Sequence, residues 1–203
     1  MIKYSLAAIA LALVPGVAMA QDSSAFGGPY VGAIVGYDHV KVGGGGASDS
    51  KDGVTFGGIV GWDMNLGGGI VGAEAEISGS TTKQEETDVF VLGDRAKLKA
   101  GRDLYVGIRA GVLAAPTTLI YVKGGYTNAR ATLDYDNGAG STFSASDNLD
   151  GFRIGAGVEQ AFGRLKARIE YRYSDYGEAK YNGVGLGVDA KRHQVVAGLT
   201  ASF

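Results

Sequence analysis

Along the segment from Leu165 to Tyr173, an apolar side chain falls at every second residue: Leu165, Ala167, Ile169, Tyr171 and Tyr173. Lys166, Arg168, Glu170 and Arg172 fill the gaps. A period of two places the apolar groups on one face of an extended strand and the ionised groups on the other. In a helix the two sets would be mixed around the axis.

The same alternation recurs through the chain and predicts eight strands. The first runs from about Pro29 to Val40, with Val31, Ala33, Val35 and Tyr37 on one face and Gly32, Ile34, Gly36 and Asp38 on the other. The second, about Gly53 to Asp63, sets Val54, Phe56, Val60 and Trp62 against Thr55, Gly57, Gly61 and Asp63. The third, about Gly69 to Ser78, sets Val71, Ala73, Ala75 and Ile77 against Gly72, Glu74 and Glu76. The fourth, about Arg102 to Leu113, opposes Leu104, Val106, Ile108, Ala110 and Val112 to Tyr105, Gly107, Arg109 and Gly111. The fifth spans about Thr118 to Arg130, with Lys123 on its polar face. The sixth spans about Gly151 to Phe162, with Arg153 and Glu159 on that face. The Leu165 segment is the seventh, and the eighth runs from about Lys191 to Phe203.

The connections alternate in length. Met64–Gly68, Ala114–Thr117 and Ala161–Arg164 read as tight turns, while polar loops are expected over 41–52, 79–101, 131–150 and 174–190. Short turns at one end and long loops at the other are the layout of a barrel crossing the bacterial outer membrane. Composition agrees. The 203 residues hold 35 glycines and only 3 prolines, which disfavours helix and permits close strand packing. There is no cysteine, hence no disulfide framework, thiolate metal site or Cys nucleophile. A net charge of −2 argues against a nucleic-acid partner. Gly43–Gly46 lacks the Lys-Ser/Thr of a phosphate loop and reads as a flexible tip.

Residues 1–20 read as a secretory signal peptide. Lys3 supplies the positive start, Leu6 to Val14 the apolar run, Pro15-Gly16 the break, and Ala18-Met19-Ala20 the cleavage site. The run is too short to span a bilayer as a helix. The expected organisation is therefore a signal peptide at 1–20 and one barrel domain at 21–203.

Which face points inward decides the function. A soluble barrel buries its apolar face, whereas a membrane barrel turns it to lipid and fills the lumen with polar groups. Aromatic residues on the apolar face gather at both strand ends. Tyr30, Trp62, Phe162 and Phe203 lie toward the short turns, and Tyr37, Phe56, Tyr126, Phe152 and Tyr173 toward the long loops. Two such belts suit interfacial anchoring, so the membrane barrel is the expected fold. By strand parity the lumen then holds Arg109, Lys123, Arg153, Lys166, Arg168 and Arg172, with Asp38, Asp63, Glu74, Glu76, Glu159 and Glu170. Eight strands leave a bore just wide enough for side chains to fill. Buried charges must pair there, and equal numbers permit full pairing. Inward glycines such as Gly32, Gly57, Gly107 and Gly155 leave room for long arginines. The expected interior is a salt-bridged plug; the alternative is a narrow porin-like channel for small solutes.

Gly28-Pro29-Tyr30-Val31-Gly32, Gly155-Ala156-Gly157-Val158-Glu159, Glu170-Tyr171-Arg172-Tyr173 and the end segment from His193 to Phe203 resemble the small eight-stranded outer-membrane β-barrel proteins of proteobacteria, which include porin-like surface antigens and opacity-type adhesins. The resemblance covers the chain after the signal and implies an all-β, antiparallel up-and-down transmembrane barrel in the outer membrane. It implies that Phe203 is the aromatic signal read by the barrel-assembly machinery. It carries no catalytic residues and no cofactor.

The remaining candidates lie toward the outer rim. Lys41, Lys191, Arg192 and His193 form an expected contact for lipopolysaccharide phosphates. His39 and His193 alone leave a zinc site unfinished. Ser50, Asp49 and His39 match a hydrolytic trio no better than chance, so no enzyme is expected. Glu85, Glu86 and Asp88 read first as a solvated charge run and second as loose ligands for a hard cation. Tyr135, Phe143 and Tyr181 offer loop surface for a host or envelope partner.

Overall fold

A computed structural model describes residues 25–44, 47–81, 83–87, 95–136, 142–181 and 184–203. The expected signal peptide at 1–20 lies outside the described residues. The elements are β1 (Gly28–Gly44), β2 (Ala47–Asn65), β3 (Gly69–Ser80), β4 (Lys83–Thr87), β5 (Arg95–Ala115), β6 (Thr118–Asp136), β7 (Thr142–Phe162), β8 (Leu165–Tyr181) and β9 (Val184–Ser202).

Every pairing is antiparallel and, apart from β3–β5, joins sequence neighbours until β1 closes the sheet against β9, with Tyr30 opposite Ser202 and Lys41 opposite Lys191. β3 pairs with β5 from Gly79–Arg102 down to Gly69–Val112, and β4 continues upward along the same strand from Lys83–Lys99. β3 and β4 therefore share one position in the wall, and the barrel has eight staves. Across the apolar band closure leaves no open edge among the described residues, which lipid requires because it offers no hydrogen-bond partners.

The tight turns fall where expected. At Phe162–Leu165 the turn residue Gly163 has φ +65, the left-handed conformation a two-residue hairpin demands. The long loops do not fall as expected. Much of 41–52, 131–150 and 174–190 is paired strand that extends the hairpins, down to Gly44 opposite Ala47 and Asp136 opposite Thr142. Outside lipid the apolar alternation stops, but backbone pairing continues because it needs no particular side chain. Polar composition marks solvation, not irregular structure.

The faces are inverted relative to a soluble protein. Ile108 and Ile169 are 70% and 65% exposed on the outside, while Asp38, Arg153 and Glu170 are fully buried within. Phe152 and Phe162 mark the two belts on β7; ten residues of strand cover about 33 Å, or about 25 Å of membrane depth at the usual tilt. Trp62, Phe162 and Phe203 occupy the short-turn belt. Tyr30 does not: it is buried, because its even position shares the inward face with Ile34 and Asp38. Inward tyrosines also use the space that glycines leave. A side chain at Gly157 would meet the Tyr121 ring at 2.8 Å.

Candidate functional site

The lumen is the most heavily constructed part of the molecule. Among the described residues seven acids and seven bases are buried in it: the twelve expected from parity, plus Asp103 and Arg192. Arg192 therefore corrects one expectation. It is not an outer contact; it shares the inward face of β9 with Gln194, and its guanidinium clamps Asp38 through Nε and Nη2 at 2.6 Å each.

The contacts fall into three levels. Toward the short turns, Arg109 donates to both oxygens of Glu159 at 3.2 and 3.4 Å, lies 3.1 Å from Asp63, and is sandwiched by the rings of Tyr30 and Tyr121. Lys166 stands 3.9 Å from Glu159, over Phe26 and Tyr30. At mid-depth Glu74 accepts from Lys123 at 2.8 Å, Arg168 at 2.7 Å and Tyr30 at 2.9 Å. Glu170 is held by Lys123, Arg172 and Tyr121, and Glu76 by Arg172 at 2.6 Å and Arg153 at 3.3 Å. Toward the hairpins Asp103 collects Arg153, Arg192, Tyr176 and Thr127, while Asp38 holds Arg192 and Ser80.

Three of these pairs cross the full bore. In an eight-stave ring β3 faces β8 and β5 faces β9. Glu74–Arg168, Glu76–Arg172 and Asp103–Arg192 join those opposite walls at 2.7, 2.6 and 2.7 Å. Below them, at the short-turn mouth, Phe26, Ile70, Leu119, Tyr121 and Ala161 form a buried apolar cluster. Phe26 is fully buried, and its carbonyl accepts from Asn65 at 2.8 Å. The parity reading missed Phe26 because it precedes the first strand. The available signal was a lone aromatic ahead of Gly27-Gly28-Pro29.

At the opposite rim, outside the apolar band, His39 Nδ1 and the Tyr37 hydroxyl both meet Asp52 at 2.6 Å. These two hydrogen bonds, that of His39 first, hold the Asp52 carboxyl below its ordinary range. His193 meets the Tyr171 hydroxyl at 2.8 Å and packs on Tyr173. Lys41 and Lys191 are exposed beside them. His39 is thus engaged with Asp52, and the side chain of Asp49 lies outside the described residues, as do those of Glu85, Glu86, Tyr135, Phe143 and Tyr181 and the whole of Asp88. Phe203 is 77% exposed at the short-turn end, its amide donating to Pro29.

An apolar exterior between aromatic belts, a charged interior and a closed antiparallel wall define a transmembrane β-barrel of the bacterial outer membrane. The chain belongs to the outer membrane protein beta-barrel domain family, whose sequence profile matches residues 6–191. The fold is similar to that of Neisserial surface protein A, at 16% identity over 86% of this chain and 97% of that one, with a TM-score of 0.56. Lower on that scale stands Ail, the attachment invasion locus protein of Yersinia pestis, at 13% identity, 85% and 99% coverage and a TM-score of 0.48. So does the N-terminal β-barrel domain of OprF from Pseudomonas aeruginosa, at 16%, 86%, 99% and 0.41. No curated protein matches the chain in sequence.

Proposed function

We propose that this protein is a non-conducting structural barrel of the outer membrane that carries hairpins for contact at the cell surface. The observation that carries the reading is the set of three wall-to-wall ion pairs, Glu74–Arg168, Glu76–Arg172 and Asp103–Arg192. A hydrated ion would have to separate charges at hydrogen-bond distance in a medium where each stranded charge costs several kcal/mol. The apolar cluster around Phe26 blocks the same route a second time. The exterior offers the complementary half of the role. Strands β5 and β7 are 21 residues long, about twice what a tilted transmembrane strand needs, so their outer halves stand clear of the lipid as paired hairpins. At the other end the exposed ring of Phe203 is presented for the barrel-assembly machinery.

Single-channel recording of the refolded chain in planar bilayers tests the reading. The expected trace has no stable openings. Steady openings whose conductance scales with salt would replace the structural role with that of a narrow channel. Joint replacement of Glu76 and Arg172 by Ala removes one cross-bore pair but leaves Glu74–Arg168, Asp103–Arg192 and the apolar cluster in place, so the trace is expected to stay silent.

A further inference from the structure

On the outward face of the β1–β9 closure seam, two like pairs stand one above the other. His39 is opposite His193, and Lys41 is opposite Lys191. Directly opposed residues in an antiparallel pair bring their Cβ atoms within about 5 Å, and like charges so placed destabilise the pairing. The flanking carboxylates on β2 and β8 are bonded to other groups. Asp52, beside His39 on β2, is engaged by His39 and Tyr37. Asp175, opposite Lys191 on β8, accepts the Tyr173 hydroxyl and the Gly177 amide at 3.0 Å each. Among the described residues neither Lys41 nor Lys191 has an ion-pair partner, and both are exposed.

Their depth identifies what they face. His193 packs on Tyr171 and Tyr173, and Tyr173 meets Phe152 edge-on at 6.3 Å, so the histidines lie at the level of the outer aromatic belt. The lysines sit two residues further out, about 7 Å along the strand. That is the headgroup layer of the outer leaflet. Two ammonium groups on flexible four-carbon stems, springing from opposed positions, are able to converge on a single phosphate.

We propose that Lys41 and Lys191, with His39 and His193 beneath them, form a binding site for a phosphate of the outer-leaflet glycolipid, and that the bound phosphate clamps the β1–β9 seam. The contact expected from sequence thus narrows: Arg192 leaves it for the lumen, and the two opposed lysines carry it. The proposal does not depend on whether the bore conducts.

The test titrates the refolded, detergent-solubilised chain with phosphorylated lipid A, with enzymatically dephosphorylated lipid A and with inorganic phosphate, reading retention by native mass spectrometry. Folding of each variant is checked by heat-modifiable gel migration. Lys41→Ser with Lys191→Ser should weaken retention of phosphorylated lipid A on the order of tenfold or more. Lys41→Arg with Lys191→Arg should keep it, and Arg164→Ser, at the opposite rim, should leave it unchanged. Phosphorylated lipid A should also raise the unfolding temperature of the wild type but not of the double Ser variant. Equal retention of the two lipids overturns the proposal, as does unchanged retention by the double Ser variant. Binding of free phosphate as tight as that of the lipid overturns the membrane assignment and leaves a site for a soluble anion. If the double Ser variant fails to fold, the Arg pair and the comparison of the two lipids still decide the question.

Discussion

The two ends of the bore are filled by different physics. Toward the hairpins the filling is ionic: Asp103 alone gathers two guanidinium groups and two hydroxyls, and Asp38 takes a bidentate arginine. Toward the short turns an apolar cluster lies at the mouth. Phe26, Ile70, Leu119 and Ala161 pack there, and the one lysine above them, Lys166, has its nearest carboxylate at 3.9 Å. A hydrogen-bonded ion network holds its partners by direction, and removal of one member leaves buried charge uncompensated. An apolar seal holds by contact area and tolerates a loosely paired charge at its edge. The two ends should therefore respond differently to the loss of a single side chain.

The largest effect is expected at the ionic end. Asp103→Ala removes the acceptor shared by Arg153, Arg192, Tyr176 and Thr127, and it leaves the lumen with one excess positive charge. Arg153 keeps Glu76 and Arg192 keeps Asp38, so the barrel survives. The loss should be about 3–5 kcal/mol, the usual range for breaking a buried pair from one side, read as a lowered midpoint for urea unfolding from lipid vesicles. A loss below about 1 kcal/mol would mean that the ionic end is held by its walls rather than by its charges.

Next comes the apolar end. Phe26→Ala empties the centre of the seal, and a buried phenylalanine truncated to alanine typically loses about 3–5 kcal/mol. Phe26 lies outside the strands and its site is able to collapse partly, so about 2–3 kcal/mol is expected. The same variant sharpens the comparison in a planar bilayer. If the ionic levels suffice to block the bore, the trace stays silent; if openings appear, the seal and not the network is the barrier.

What the sequence made legible follows the same division. The wall was readable because lipid enforces strict alternation: Leu165 to Tyr173 fixes which side of β8 faces outward, and parity then assigns twelve lumen charges by number alone. Asp103 and Arg192 obey that parity too, sharing faces with Tyr105 and Gln194. They were passed over because each sits at the end of an apolar segment, where the pattern fades into the polar hairpins and a charge reads as solvated. Their omission was self-concealing: one acid and one base were missed together, and the balance stayed even. Yet they bond each other across the bore at 2.7 Å. Tyr30 was misplaced because an aromatic at a strand end was read as part of a belt before its parity was applied. Phe26 carries no periodicity at all. Its role arises only when the ring of staves closes and leaves a mouth to fill.

The smallest effect is expected at Lys166. Its ammonium is buried, at 3.9 Å from Glu159 and 5.4 Å from the centres of the Phe26 and Tyr30 rings. Those contacts offset only part of the desolvation of a buried cation. Its acidic neighbours do not depend on it: Glu159 is held by both Arg109 terminal nitrogens, and Asp63 lies 3.1 Å from Arg109 Nε. Lys166→Met preserves length and apolar contact with Phe26 while it removes the charge. Stability in the same urea assay should change by no more than about 1 kcal/mol and in either direction, since replacing a weakly compensated buried charge by a hydrophobe of similar volume is often neutral or favourable. A loss as large as that of Asp103→Ala would erase the distinction between the two ends, because it would show that the apolar seal depends on the cation above it.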